Sequence, residues 1–309
     1  MDGPAITDLE QFLRQRMQLS NISSTTLVVT FFCDVVTQHG GEIWLGSVIH
    51  ALAPLGVNER LTRTAVFRLV QEGWLESRKQ GRRSYYRLTQ TGQNYYRRAA
   101  KRIYSGKISE WDGVWTLLFT SLVPEDKRDP LHRGLSWLGY GRLAAGVYAL
   151  PRNDRAPLDD LLSDLELEDS IVHMQAEAEN TESLQKLVMK RWKLRDLRLR
   201  YREFNTQYRQ VLALLQRNEK PTEHSLFLLR VLLVHEYRRI LLNDPELPSV
   251  MLPTDWEGFD AQSLTAEIYR NLAKRTRKWA NLELLNADGP MKWVSNTLNS
   301  RFPQPSINA

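Results

Sequence analysis

The sequence predicts an α+β protein built in three successive parts, and three observations predict it. Residues 41–88 read as helix, turn, helix and then a short basic hairpin. From Val114 onward strand-like runs alternate with helical ones, and from Leu194 onward every periodic stretch is helical. The expected parts are a winged helix-turn-helix with a connector helix over 1–107, a ferredoxin-like α+β layer over 108–193, and an all-helical part over 194–309.

Composition bounds the answer. At 309 residues the chain exceeds one ordinary domain, and 42% hydrophobic with 25% charged residues are globular values. The longest apolar stretch, Leu226 to Ile240, is interrupted by Arg230 and His235-Glu236, so no membrane span is expected. The start, MDGPAITDLEQFLRQRM, carries acids and no apolar signal core, and a cytoplasmic location is expected. The single Cys33 cannot close an internal disulfide and sits among Leu27, Val28, Phe31, Phe32 and Val35, a pattern that predicts burial. No CxxC or Cys/His cluster is present, so no metal is expected.

Residues 1–22 form one amphipathic helix through Leu9, Phe12, Leu13 and Met17, either an arm on a partner subunit or a frayed end. Thr25 to Gln38 is the next helix, stopped by His39-Gly40-Gly41. Trp44 to Ala53 places Leu45, Val48, Ile49 and Leu52 on one face, and Pro54 and Gly56 stop it. Asn58 caps a further helix, with Glu59 at its positive end. Leu61, Ala65 and Leu69 stack inward on that helix; Arg60, Arg63, Thr64, Phe67 and Gln71 lie opposite, flanked by Arg68. Gly73 ends the helix, and Leu75–Arg78 and Ser84–Leu88 are two strands joined by the loop Lys79-Gln80-Gly81-Arg82-Arg83.

A helix-turn-helix followed by a basic-tipped hairpin is a winged helix, whose second helix enters a DNA major groove. Arg60, Arg63, Thr64 and Arg68 are the base-reading or groove-positioned candidates; Lys79, Arg82 and Arg83 are the phosphate or minor-groove candidates. Phe67 fits a core or interface position as well as contact with a thymine methyl. Charge is concentrated accordingly. Residues 57–107 hold 13 Lys+Arg against 3 acids, a net +10, while the whole chain is +6, so the remainder sums to −4.

After the hairpin, Thr89 to about Ser105 is a connector helix, and Gly106 to Gly113 is the seam. Val114–Phe119 is a buried strand, Asp126–Leu138 a helix, Leu143–Leu150 a second strand, Asp159–Leu165 a short helix and Ile171–Ala176 a third strand. A helix runs from Thr181 to about Trp192. Residues 154–182 are acidic, which argues against nucleic-acid contact there.

Asp196 to Gln216 is helical, and cations from Lys186 to Arg202 make a second basic patch. It fits a solvated helix surface, pairing with the acidic stretch across subunits, or capture of a phosphorylated effector. Pro221 opens a buried helix to about Leu242 in which His235, Glu236, Arg238 and Arg239 stand out. Ala261–Leu282 is a last helix, and the tail after Leu298 is expected to be loosely ordered.

The run HGGEIWLGSVIHALAPLGVNERLTRTAVFRLVQEGWLESRKQGRRSYYRLTQTG resembles the amino-terminal domain of the PaaX-like family, repressors of phenylacetate catabolism. WDGVW at Trp111–Trp115 and LLVHEYRRILLNDPELP at Leu232–Pro248 extend the likeness over most of the chain in the same order. The resemblance implies a cytoplasmic, homodimeric, DNA-binding transcriptional repressor of a phenylacetate operon, released by an aryl-CoA thioester such as phenylacetyl-CoA. It also implies a middle domain shaped like a small CRISPR-associated nuclease, which needs an Asp at the end of its first strand. Here that end reads Phe119-Thr120-Ser121-Leu122 and Asp112 precedes the strand, a departure that favours dimerisation over cleavage.

Under this resemblance His235, Arg238 and Arg239 have two readings: local pairing at a helix end, or a pocket whose arginines hold coenzyme A phosphates. No GxSxG, P-loop or HExxH is present, and the six histidines (39, 50, 132, 173, 224, 235) lack ligand spacing. No catalytic residue and no resident cofactor are therefore expected. The competing functions are an architectural DNA binder without effector and a nuclease using the middle domain.

Overall fold

The computed structural model describes residues 8–19, 22–104, 111–153, 155–179, 182–217, 220–294 and 301–302. The chain divides into two compact units: residues 1–106, 204–239 and 260–309 form the first, and residues 107–203 and 240–259 the second. Of residues 194–309, 204–239 and 260–309 fall in the first unit and 194–203 and 240–259 in the second.

In the first unit, α1 (Asp8–Leu19) buries Leu9 and Leu13. The α2 helix (Ser24–Asp34) is capped by Ser23, whose hydroxyl accepts from the Thr26 amide, and it buries Leu27, Val28, Phe31 and Phe32. A three-residue strand, β1 (Glu42–Trp44), precedes α3 (Leu45–Leu52), so the expected helix from Trp44 starts one residue later and is preceded by a strand that local pattern does not announce. After a turn around Pro54, in which Gly56 adopts φ 77°, comes α4 (Glu59–Gln71). Then β2 (Leu75–Gln80) and β3 (Arg83–Leu88) form a hairpin, and α5 (Gln90–Tyr104) leaves it. The sheet order is β1-β3-β2, antiparallel throughout. Gly92 is required for that exit, because a Cβ there would stand 2.4 Å from the Trp74 carbonyl oxygen.

The second unit begins with β4 (Val114–Phe119), α6 (Glu125–Trp137), β5 (Gly141–Ala144) and β6 (Val147–Leu150). It continues with α7 (Ala156–Asp164), β7 (Val172–Glu177) and α8 (Glu182–Arg191). The run Leu143–Leu150, expected as one strand, is a hairpin: Gly146 at φ 71° reverses the chain inside it. The four strands lie antiparallel in the order β5-β6-β4-β7. Leu118, Leu131, Leu135, Leu150, Leu158 and Leu162 form the core between sheet and helices.

The chain then runs through α9 (Leu194–Gln216), α10 (Glu223–Leu241), α11 (Glu257–Arg275) and α12 (Arg277–Glu283), followed by the short pair β8 (Leu285–Asn286) and β9 (Gly289–Pro290). The expected helix Ala261–Leu282 is thus broken at Thr276. In α10 all residues from Ser225 to Tyr237 are buried, as the apolar pattern demands. No helix among the described residues is long and apolar enough to cross a membrane.

One ionic cluster lies inside the first unit. Asp34 is fully buried between Arg230 and Arg301, at 3.0 Å and 2.7 Å. The hydroxyls of Tyr104 and Tyr269 donate to Asp34 Oδ1 at 2.9 Å and 3.0 Å. Burial alone would raise the Asp34 pKa, but the two guanidinium charges outweigh it and hold the carboxyl below its usual range. Arg301 and Phe302 lie in the tail expected to be loose. Both are buried: Phe302 sets its ring edge-on against Tyr104 at 5.4 Å, and its amide donates to the Tyr104 carbonyl at 2.7 Å. The rest of that tail lies outside the described residues.

Candidate nucleic-acid interface

The α4 helix starts where the sequence places it. Asn58 Oδ1 accepts from the Leu61 amide at 3.0 Å, satisfying one of the free donors of the first turn. The inward face consists of Thr62, Ala65, Val66 and Leu69. Leu61, expected inside, is exposed, because the buried stripe lies one residue further round the helix. The spacing of Arg60, Arg63, Thr64, Phe67, Arg68 and Gln71 places them on one outward face, all exposed. Phe67 is 66% exposed, which removes the core reading for it.

That face is held in order by its own acids. Arg63 pairs with Glu59 and Arg68 with Glu72, each at 2.7 Å and each one helical turn apart. Exposed pairs of this kind are worth roughly 0.3–0.5 kcal/mol, so either arginine can leave its acid at little cost. The Thr64 hydroxyl donates back to the Arg60 carbonyl at 2.9 Å.

In the hairpin, Gln80 pairs with Arg83 across a two-residue turn, Gly81-Arg82, and Gly81 takes φ 60° as hairpin turns of this length require. The expected strands are therefore each longer, and the five-residue loop shrinks to its tip. Lys79, Arg82 and Arg83 are exposed there. Arg83 lies over the Trp44 ring at 4.6 Å. Arg78 donates through Nε and Nη2 to the Glu42 carboxylate at 3.2 Å and 2.8 Å, and Arg87 pairs with Glu76 at 2.6 Å. Glu42 and Trp44 thus brace the hairpin from β1, a role that sequence reading missed because a three-residue strand has no periodicity to detect. Among the described residues, Arg60, Lys79 and Arg82 have no ion pair, nor does Arg83, whose guanidinium lies over the Trp44 ring instead.

The other candidate group is built differently. His235 is fully buried, with Nδ1 3.1 Å from the Thr30 hydroxyl, and burial, helped by the Arg238 and Arg239 charges, pushes its pKa down to about 3. Arg238 donates to the same hydroxyl at 2.9 Å and to the Thr26 carbonyl at 3.4 Å. Glu236 accepts from Arg16 at 2.8 Å and from the Tyr208 hydroxyl at 3.1 Å, and burial raises its pKa. His235 and Arg238 therefore stitch α10 to α2, whereas Arg239 is exposed. Cys33 is half-buried, and burial raises its thiol pKa to about 11.

Asp112, ahead of β4, accepts from the Val114 amide at 3.0 Å and so caps the strand start. Among the described residues no group of three or more His, Cys, Asp or Glu is placed to hold a metal ion.

The family model described as PaaX-like protein matches residues 23–92. The PaaX protein central Cas2-like domain matches 109–188, and the PaaX-like protein C-terminal domain matches 192–282. The transcriptional repressor PaaX of Escherichia coli K12 is 34% identical over 272 residues, covering 87% of this chain and 86% of that one. Among solved structures, the uncharacterized protein Rv0674 from Mycobacterium tuberculosis matches with a TM-score of 0.48 at 22% identity, over 75% of this chain and 88% of that one.

Proposed function

The chain belongs to the PaaX-like family, and from that premise we propose how this repressor reads DNA and what releases it. It is a transcriptional repressor of a phenylacetate operon, a regulator and not an enzyme. The first unit's helices α2, α3 and α4 with the sheet β1-β3-β2 act as a winged helix. In it α4 lies in the major groove and the β2–β3 hairpin reaches phosphates or the minor groove. Arg63 and Arg68 leave their acids for the groove, Arg60 and Thr64 set register, and Lys79, Arg82 and Arg83 hold the backbone. The observation that carries this reading is the set Arg60, Lys79 and Arg82. These are exposed cations without an ion pair among the described residues, on the outward face of α4 and at the tip of the hairpin that follows it.

The middle part acts as a ferredoxin-like layer: its order of strand, helix, two strands, helix and strand, with sheet order β5-β6-β4-β7, supports that reading. It serves a cytoplasmic homodimer that meets two operator half-sites. The effector is an aryl-CoA thioester such as phenylacetyl-CoA, which binds the arrangement incompatible with DNA better than the other one. Fluorescence anisotropy of operator DNA tests the whole proposal. Phenylacetyl-CoA should release the protein while free phenylacetate should not; indifference to both would leave an architectural binder.

A further inference from the structure

The second unit is acidic, yet it gathers cations at one place. It holds 15 Lys+Arg against 21 Asp+Glu, a net −6, and ten of those acids fall between residues 154 and 182. Lys127, Arg152, Arg155, Lys186, Arg198 and Arg202 are each paired with a carboxylate. Arg142, Lys190, Arg191 and Lys193 are exposed, and among the described residues none has an ion pair. These four line one cleft of about 600 Å³, together with His132 and Ser136.

The cleft is held in shape by Trp192. Its indole Nε1 donates to the Gly139 carbonyl at 2.8 Å, and its ring lies so close to Gly141 that a Cβ there would stand 2.5 Å away. Any other residue at 141 would push the ring off β5. Lys193 then takes a left-handed conformation, φ 49°, that turns the chain directly after the indole. The segment Lys190–Lys193 is thereby fixed beside β5, which contributes Arg142. Helix polarity accounts for Lys190 and Arg191, which sit in the last turn of α8 where cations are favoured. It does not account for Arg142 on a strand, nor for Lys193 beyond the helix. Of the polar groups at the cleft, His132 Nδ1 is 3.2 Å from the Tyr148 hydroxyl and Arg142 Nε donates weakly to the Ala144 carbonyl at 3.4 Å.

We propose that this cleft is an anion site that takes the phosphate groups of a nucleotide-bearing small molecule. Its identification as the seat of a coenzyme A thioester rests on the effector reading given above. Four cations around a concavity match several phosphates better than a single carboxylate, and a hydroxyl and an imidazole add polar partners. A small ligand is favoured over duplex DNA because the unit as a whole repels a long polyanion.

Titration calorimetry on the full chain tests this with pyrophosphate, coenzyme A, phenylacetyl-CoA, free phenylacetate and random duplex DNA. The double variant R142Q/K193Q leaves α8 intact and serves as the comparison, with K190Q/R191Q as a second. Pyrophosphate and coenzyme A should bind the parent chain, and each double variant should weaken them tenfold or more, with binding falling as salt rises from roughly 50 to 200 mM. Free phenylacetate should not bind the cleft. Equal binding by parent and variants, no binding of either phosphate ligand to the parent, or loss of random-duplex binding in the variants would each overturn the proposal. Cleft-dependent pyrophosphate binding, with phenylacetyl-CoA unable to release operator, would keep the cleft and refute the effector reading. Release equally efficient from parent and variants would keep the effector reading and refute the cleft.

Discussion

The two units carry opposite charge and use it in opposite ways. The first holds 27 Lys+Arg against 15 Asp+Glu, a net +12, and the second is at −6. In the first unit cations occupy both extremes of environment: Arg230 is fully buried against Asp34, while Arg60, Lys79 and Arg82 stand in solvent. The second unit keeps its core apolar, pairs six of its 15 cations with carboxylates and sets four of the others around a single concavity. The difference teaches that a count of basic residues does not locate function. Where the cations gather, on one helix face and hairpin tip or around one concavity, says more.

The comparison breaks first at its buried end. Asp34→Ala strands two guanidinium groups inside the first unit, and a loss of about 3–5 kcal/mol is expected because each would remain charged without a partner. Denaturant unfolding measures it; a loss below roughly 1 kcal/mol would mean that the network is not ionic.

Acid attacks the same unit. The His235 pKa lies at about 3 and the His39 pKa at about 4, both below the ordinary 6.5, chiefly through burial. The unfolded chain therefore takes up protons that the folded one refuses, and stability should fall as pH drops below about 6.5 toward those values. The slope approaches about 1.4 kcal/mol per pH unit for each histidine. Melting curves of H39N and H235Q, each flatter between pH 6.5 and 4 than the parent, would bear this out; unchanged slopes would refute it.

At the exposed end, R60Q/K79Q/R82Q should weaken operator and random DNA alike, and lower the dependence of log affinity on log salt by roughly 3, about one per lost phosphate contact. An unaltered salt slope would remove these residues from the interface. The smallest effect sharpens the contrast within α4. Arg63→Gln should cost about 1–3 kcal/mol on operator and little on random sequence, since a bidentate base contact discriminates by that amount. Equal losses on both would make Arg63 a backbone contact.

Local chemistry made much of this legible from sequence. Asn58, Gly73 and the alternation from Leu75 to Leu88 mark α4 and the hairpin because caps, stops and strand patterns act over a few residues. What escaped is non-local. The β1 strand exists through pairing with β3, the Gly146 turn hides in an apolar run, and the two arginine partners of Asp34 lie 196 and 267 residues away. The second basic patch was visible as a run of cations, but only the folded chain places Arg142 beside Lys190, Arg191 and Lys193. An arginine inside an otherwise apolar helix was the available sign of the buried cluster, and Asp34 in an equally greasy stretch was its complement.

The hook formed by Arg301 and Phe302 has a bearing on how the molecule is made. Because Asp34 takes one guanidinium from Arg301, encoded 267 residues downstream, the charge network of the first unit cannot be completed until that residue has left the ribosome. A product terminated before Arg301 would carry α4 and the hairpin yet leave Asp34 with only Arg230 of its two guanidinium partners, so an early stop would weaken the unit from the inside.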